Sequence, residues 1–125
     1  MDPVVHFEMA MENMARGKKF YESVFDWKFD DVPQMNYAIA RSTESEKSGL
    51  PIKPGRINGG FTDRKMDNIK PIIVIKVQDI MKSLEKAKKE GAKIVREQMQ
   101  VGEMGLYARI TDSEGNVIGV WQDLK

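Results

Sequence analysis

His6 and Glu8 are the side chains of this 125-residue chain best placed to do chemistry. They stand two apart in Val4-Val5-His6-Phe7-Glu8-Met9, where Val5, Phe7 and Met9 alternate with Val4, His6 and Glu8. On a strand, that alternation puts the imidazole and the carboxylate on one face and the larger apolar side chains on the other. Such an imidazole can serve as a general base, can hydrogen-bond a ligand, or can be a buried histidine satisfied by a neighbour. No motif places a Ser, Asp or Glu that would complete a catalytic set, so these readings stay open. An inward carboxylate beside an imidazole is costly to bury without a purpose or a partner. The bland alternative is a structural His–Glu or Glu–Arg pair.

A second set comes in duplicate. Asn36-Tyr37-Ala38 and Leu106-Tyr107-Ala108 are near-equivalent segments, with Arg41 and Arg109 further along on the same strand faces. Facing a cavity, these phenols and guanidiniums suit a small anionic or aromatic ligand. Facing outward, they are ordinary strand surface. The inward arrangement is the reading taken here.

The duplication extends to the whole chain. Residues 4–61 read strand, helix, strand, strand, strand, and residues 71–122 repeat that order when Asn13 is laid on Asp79. Two such units can each contribute half of one concave site on a pseudo-two-fold axis. Asn13 and Asp79 are helix N-caps, and Gly91 is the expected stop of the second helix. Met14, Phe20, Tyr21, Val24 and Phe25 recur at helical spacing, as do Ile80, Leu84 and Ala87. Pro71 to Val77 is an almost continuous apolar run, fitting a strand covered on both faces. Ser42 to Gly55 has no periodicity and reads as a long loop, either a lid, a binding loop or simply mobile. Asp112 to Asn116 resembles a calcium loop, but Val117 stands where an EF-hand loop has glycine, so a hairpin turn is expected.

Composition narrows the partners. Lys and Arg number 20 against 19 Asp and Glu, which gives no electrostatic case for nucleic acid or an anionic membrane. Without cysteine there is no disulfide, thiolate metal site or thiol nucleophile. The start Met1-Asp2-Pro3 lacks the basic and apolar regions of a signal peptide, and no apolar run reaches spanning length. The expectation is a soluble cytoplasmic protein of one domain, residues 1–125, with modules at 4–62 and 71–122 and a linker at 63–70.

His6 seven residues before Asn13, then Phe20-Tyr21 and Val24-Phe25-Asp26-Trp27, resembles the opening module of the vicinal oxygen chelate superfamily (glyoxalase, bleomycin-resistance and extradiol dioxygenase proteins). The ending Asp112-Ser113-Glu114-Gly115-Asn116-Val117-Ile118-Gly119-Val120-Trp121-Gln122 resembles its closing hairpin. The resemblance implies an α+β fold: two βαβββ modules forming a cup-shaped, incomplete eight-stranded mixed barrel with the helices outside. It also implies metal ligands, usually His, Gln or Glu, on the first and last strand of each module. By register those positions are His6, Gly59, Ile72 and Gly119, and only the first carries a coordinating side chain. A catalytic divalent ion takes about three protein ligands. Neither a bound metal nor another cofactor is therefore expected.

The cup lining read from the sequence is His6, Glu8, Tyr37, Phe61, Tyr107, Arg109 and Trp121, with Ile72, Val74 and Lys76 on an apolar second wall. Phe61 and Trp121 are included by their parity with Gly59 and Gly119. The leading functional reading is a metal-independent, glyoxalase-like protein that binds a small molecule. A metal-dependent lyase or isomerase of the glyoxalase type and a non-catalytic interaction module are the alternatives, and enzyme or binding protein stays open. Exposed sheet edges favour a homodimer.

Overall fold

The computed structural model describes residues 1–124. In chain order the elements are β1 (Val4–Met11), α1 (Met14–Phe25), β2 (Lys28–Val32), a 3₁₀ turn (Pro33–Met35), β3 (Tyr37–Arg41), β4 (Asn58–Asp63), β5 (Ile72–Lys76), α2 (Ile80–Lys89), β6 (Ile94–Val101), β7 (Gly105–Thr111) and β8 (Val117–Asp123). The chain is α+β, with two βαβββ modules in series, and its eight strands pair in both parallel and antiparallel fashion. It divides into two compact units: His6–Pro71, and Met1–Val5 together with the residues from Ile72 on.

In the first unit the strands run β2-β3-β4-β1, with β4 parallel to β1 and the other pairs antiparallel. Asn13 opens α1 by accepting a hydrogen bond from the Arg16 amide (2.9 Å). The helix ends at Asp26, which takes the left-handed conformation at φ 60°. One sheet face carries Phe7, Met9, Ala38, Ala40 and Phe61, which pack with Tyr21 of α1 and with Trp27 and Phe29. Burying a side chain such as Phe61 contributes roughly 1.5–3 kcal/mol. The opposite face carries the polar residues.

The second unit has the order β5-β8-β7-β6, with β5 parallel to β8. Pro3 joins it through its carbonyl, which accepts from the Lys76 amide (2.9 Å). Asp79 caps α2 through the Lys82 amide (3.1 Å), and Gly91 follows the helix at φ +96°, a conformation glycine adopts without strain. Ile80 and Leu84 bury against Val77, Ala108, Ile110 and Val120. β5 departs from the expected strand covered on both faces. Ile75 packs on the helix-side core, but Ile73 is 45% exposed. The apolar run reports composition, and the helix reaches only part of it.

Asp112 to Asn116 forms the hairpin turn. Asp112 Oδ1 accepts from the amides of Glu114 (2.8 Å) and Asn116 (2.9 Å), and Gly115 supplies φ +84°. These hydrogen bonds, led by the Asn116 side chain, hold the Asp112 carboxyl below its ordinary range. The acidic string is turn chemistry. Among the described residues, no helix is long and apolar enough to cross a membrane.

Candidate functional site

Cross-strand pairing fixes the polar face of the first unit. His6 lies opposite Asn58, Glu8 opposite Gly60 and Ala10 opposite Thr62, while Tyr37 pairs with Thr62 and Ile39 with Gly60. Paired residues point the same way, so His6, Glu8, Tyr37, Asn58, Gly60 and Thr62 share one face. There the Tyr37 hydroxyl lies 3.0 Å from His6 Nε2. Burial lowers the imidazole pKa from its ordinary 6.5, and the Glu8 charge opposes that shift. The ring is therefore neutral near pH 7, with one nitrogen able to accept and the other to donate. Glu8 itself is 7% exposed.

Gly60 is what lets the phenol reach the imidazole. A Cβ at this position would fall 1.5 Å from the Tyr37 hydroxyl oxygen, a distance no side chain tolerates. Beside it, Asn58 organises the long loop. Its Oδ1 accepts from the Ser42 amide (2.9 Å), and its Nδ2 donates to Ser45 Oγ (2.7 Å) and the Gly49 carbonyl (3.2 Å). Within the loop, Ser45 and Pro51 form an isolated bridge, and Glu46 donates to the Leu50 carbonyl (2.8 Å). The residues from Ser42 to Gly55 thus form a pinned hairpin-like excursion. Nothing in their polar, aperiodic sequence signals that anchorage, which comes from Asn58 on the next strand together with the Ser42 hydroxyl, which donates to the Ile57 carbonyl.

Tyr107, Arg109 and Trp121 share a face of the second unit with Gly119, Val74 and Lys76, by the pairings Tyr107–Trp121, Arg109–Gly119, Val74–Gly119 and Lys76–Trp121. Arg109 is 3% exposed, and its Nε donates to the Tyr107 hydroxyl (2.8 Å). A Cβ on Gly119 would lie 2.9 Å from that hydroxyl, so here too a tyrosine covers a last-strand glycine. The Trp121 indole donates to Asp123 Oδ1 (2.7 Å), and the other Asp123 oxygen takes Lys76. The Lys76 ammonium is the main cause holding the Asp123 carboxyl below its usual range.

Phe61 corrects the sequence reading. It pairs with Met9 and Ala38, is fully buried, and sits among Tyr21, Phe29 and Trp27 with ring centroids at 5.3, 4.9 and 6.4 Å. It belongs to the helix-covered face, away from His6. The cause is a one-residue slip at Gly59-Gly60. Gly59 pairs with Phe7 on the core side, whereas Gly60 pairs with Glu8 as Gly119 pairs with Val74. The counterpart of Gly119 is therefore Gly60. A slip of one moves a residue to the other face of a strand.

The residues present do not fit the divalent metal that the resemblance implies. His6 and Glu8 are two donors on one strand, Gly60 offers none beside them, and Ile72 and Gly119 offer none in the other unit. Among the described residues, no group of three or more His, Cys, Asp or Glu side chains gathers. Two depressions of about 430 and 350 Å³ open on the first unit. The larger, at Met11, Arg64 and Lys70, does not include His6 or Glu8, and the smaller touches the polar set only at Tyr37. Depressions this open do not outweigh the convergence of buried polar groups around His6.

The two βαβββ modules and this pattern of first-strand and last-strand positions define a class. The family model for the Glyoxalase/Bleomycin resistance protein/Dioxygenase superfamily matches residues 4–120, and the chain belongs to that superfamily. "Putative glyoxylase CFP32" of Mycobacterium tuberculosis is 27% identical over 122 residues, which are 92% of this chain. The chain spans 43% of that relative's length. A glyoxalase/bleomycin resistance protein/dioxygenase superfamily member from Vibrio splendidus shares the fold at TM-score 0.66 and 10% identity, covering 98% of this chain and 100% of that one. A Streptomyces coelicolor methylmalonyl-CoA epimerase in complex with 2-nitronate-propionyl-CoA does so at TM-score 0.67 and 9% identity, covering 98% and 97%.

Proposed function

We propose that this protein binds a small molecule on the His6–Glu8–Tyr37 face and does so without a divalent metal. The supporting observation is the donor set. A neutral imidazole stands at the one first-strand ligand position that keeps a coordinating side chain, Glu8 shares its face, and the Tyr37 phenol lies 3.0 Å from its Nε2, so only two of the three belong to residue types that usually coordinate a divalent ion. Such a face offers acceptors and donors to a polar ligand end. The Tyr107, Arg109 and Trp121 face of the second unit suits an anionic or aromatic group.

The names of the relatives raise a second possibility, a metal-dependent lyase or epimerase. Glycine at two last-strand positions and isoleucine at the first strand of the second module oppose it. The chain spans less than half the length of the Mycobacterium tuberculosis relative.

A thermal-shift screen of metabolites and aromatic antibiotics, run with and without EDTA, tests the proposal. Expected is at least one compound that raises the melting temperature of the wild type and has a weaker effect on His6→Ala and Glu8→Ala. Stabilisation that EDTA abolishes, or that both variants retain in full, would overturn it.

A further inference from the structure

We propose that Tyr37 excludes a metal from this face: its phenol stands in the space of a last-strand ligand and occupies the His6 nitrogen that would coordinate. The inference rests on the metal-independent reading above and supplies its structural cause. Two contacts carry it. The Tyr37 hydroxyl engages His6 Nε2 at 3.0 Å, leaving only the other ring nitrogen for a further bond. The same hydroxyl covers Gly60, where the first atom of any side chain would fall 1.5 Å from it. A ligand residue at position 60 and Tyr37 in its present rotamer are mutually exclusive.

The second repeat makes the same arrangement on its own. Tyr107 covers Gly119 closely enough that a Cβ would lie 2.9 Å from its hydroxyl, and Arg109 holds that hydroxyl at 2.8 Å. Twice, a last-strand glycine faces a tyrosine hydroxyl fixed by a basic side chain. Simple erosion of a metal site would leave glycine beside empty space. Here the space is filled by a hydrogen-bonded phenol, so the first-strand histidine partners an oxygen of the protein in place of an ion.

The chemistry predicts how a site could be opened. A carboxylate at position 60 would face Glu8 directly across the strand pair, with His6 one step diagonal, giving three donors on one face. That requires Tyr37 to be removed. Cobalt(II) is the probe, because its visible absorption reports coordination by protein ligands. Four proteins, each checked for folding by circular dichroism, are titrated: wild type, Gly60→Glu, Tyr37→Ala, and Tyr37→Ala/Gly60→Glu. The double variant is expected to bind cobalt at least about tenfold more tightly than any of the other three, a difference of about 1.4 kcal/mol. Adding His6→Ala should abolish the gain.

Gly60→Glu alone binding as tightly as the double variant, with Tyr37 in place and the fold intact, would overturn the proposal. So would a folded double variant that binds no better than the wild type. His6-dependent cobalt binding by the wild type at the strength of the double variant would sink the metal-independent function along with it. The first two results leave that function standing, so the two failures are separable.

Discussion

The Tyr37 hydroxyl and His6 Nε2, 31 residues apart in sequence, meet at 3.0 Å on the polar face of the first unit. This contact joins the chain's single histidine to a phenol from β3, and the absence of a side chain at Gly60 makes room for it. The neighbour that His6 meets in the structure is Tyr37. The bond leaves the other ring nitrogen for a ligand, so binding through His6 stays compatible with it.

Stability should fall on mild acidification because of His6. Its folded pKa lies below the ordinary 6.5, chiefly through burial. Above pH 6.5 the ring is neutral in both states and imposes no penalty. Below it, the unfolded chain binds a proton that the folded chain resists, so stability drops until the lowered folded pKa is reached. Urea denaturation of wild type and His6→Asn between pH 7.5 and 5 should show a steeper loss for the wild type. Parallel profiles would contradict the assignment.

Phe61→Ala should cost about 3–5 kcal/mol, because it empties a fully buried ring position against Tyr21, Trp27 and Phe29. Equilibrium urea unfolding measures it. A loss under about 0.5 kcal/mol, the range of ordinary surface changes, would place Phe61 outside the core.

Asn58→Ala should release the loop from Ser42 to Gly55. It removes three hydrogen bonds, to the Ser42 amide, Ser45 Oγ and the Gly49 carbonyl. A loss of about 1–3 kcal/mol is expected, with faster amide exchange confined to that loop. Unchanged exchange there would show that other contacts hold it.

A homodimer is expected. Among the described residues β2 pairs only with β3 and β6 only with β7, and α1 exposes Phe20, Val24 and Phe25 to at least half their surface. Unpaired edges and clustered exposed aromatics are usually covered. Light scattering should report twice the 14.3 kDa of one chain, and a constant monomer mass across concentrations would contradict it.

The sequence displayed the repeat, both helix caps and the order of all the strands, because each rests on local chemistry: Asn13 and Asp79 as caps, Gly91 as a stop, and alternation along β1. That alternation also placed Phe7 with the helix-side core and His6 with Glu8 on the other face. It failed at Asn58-Gly59-Gly60-Phe61. Two successive glycines carry no apolar–polar signal, so only the cross-strand partners, Glu8 for Gly60 and Phe7 for Gly59, fix the register. The roles of Asn58 and Gly60 were missed for the same reason: both depend on side chains brought in from other segments.

Metal analysis of tag-free protein, purified without chelator and compared with His6→Ala, tests the central claim most directly. The account predicts no stoichiometric zinc, nickel, iron or manganese in the wild type and no difference between the two proteins. One divalent ion per chain, lost in His6→Ala, would contradict it.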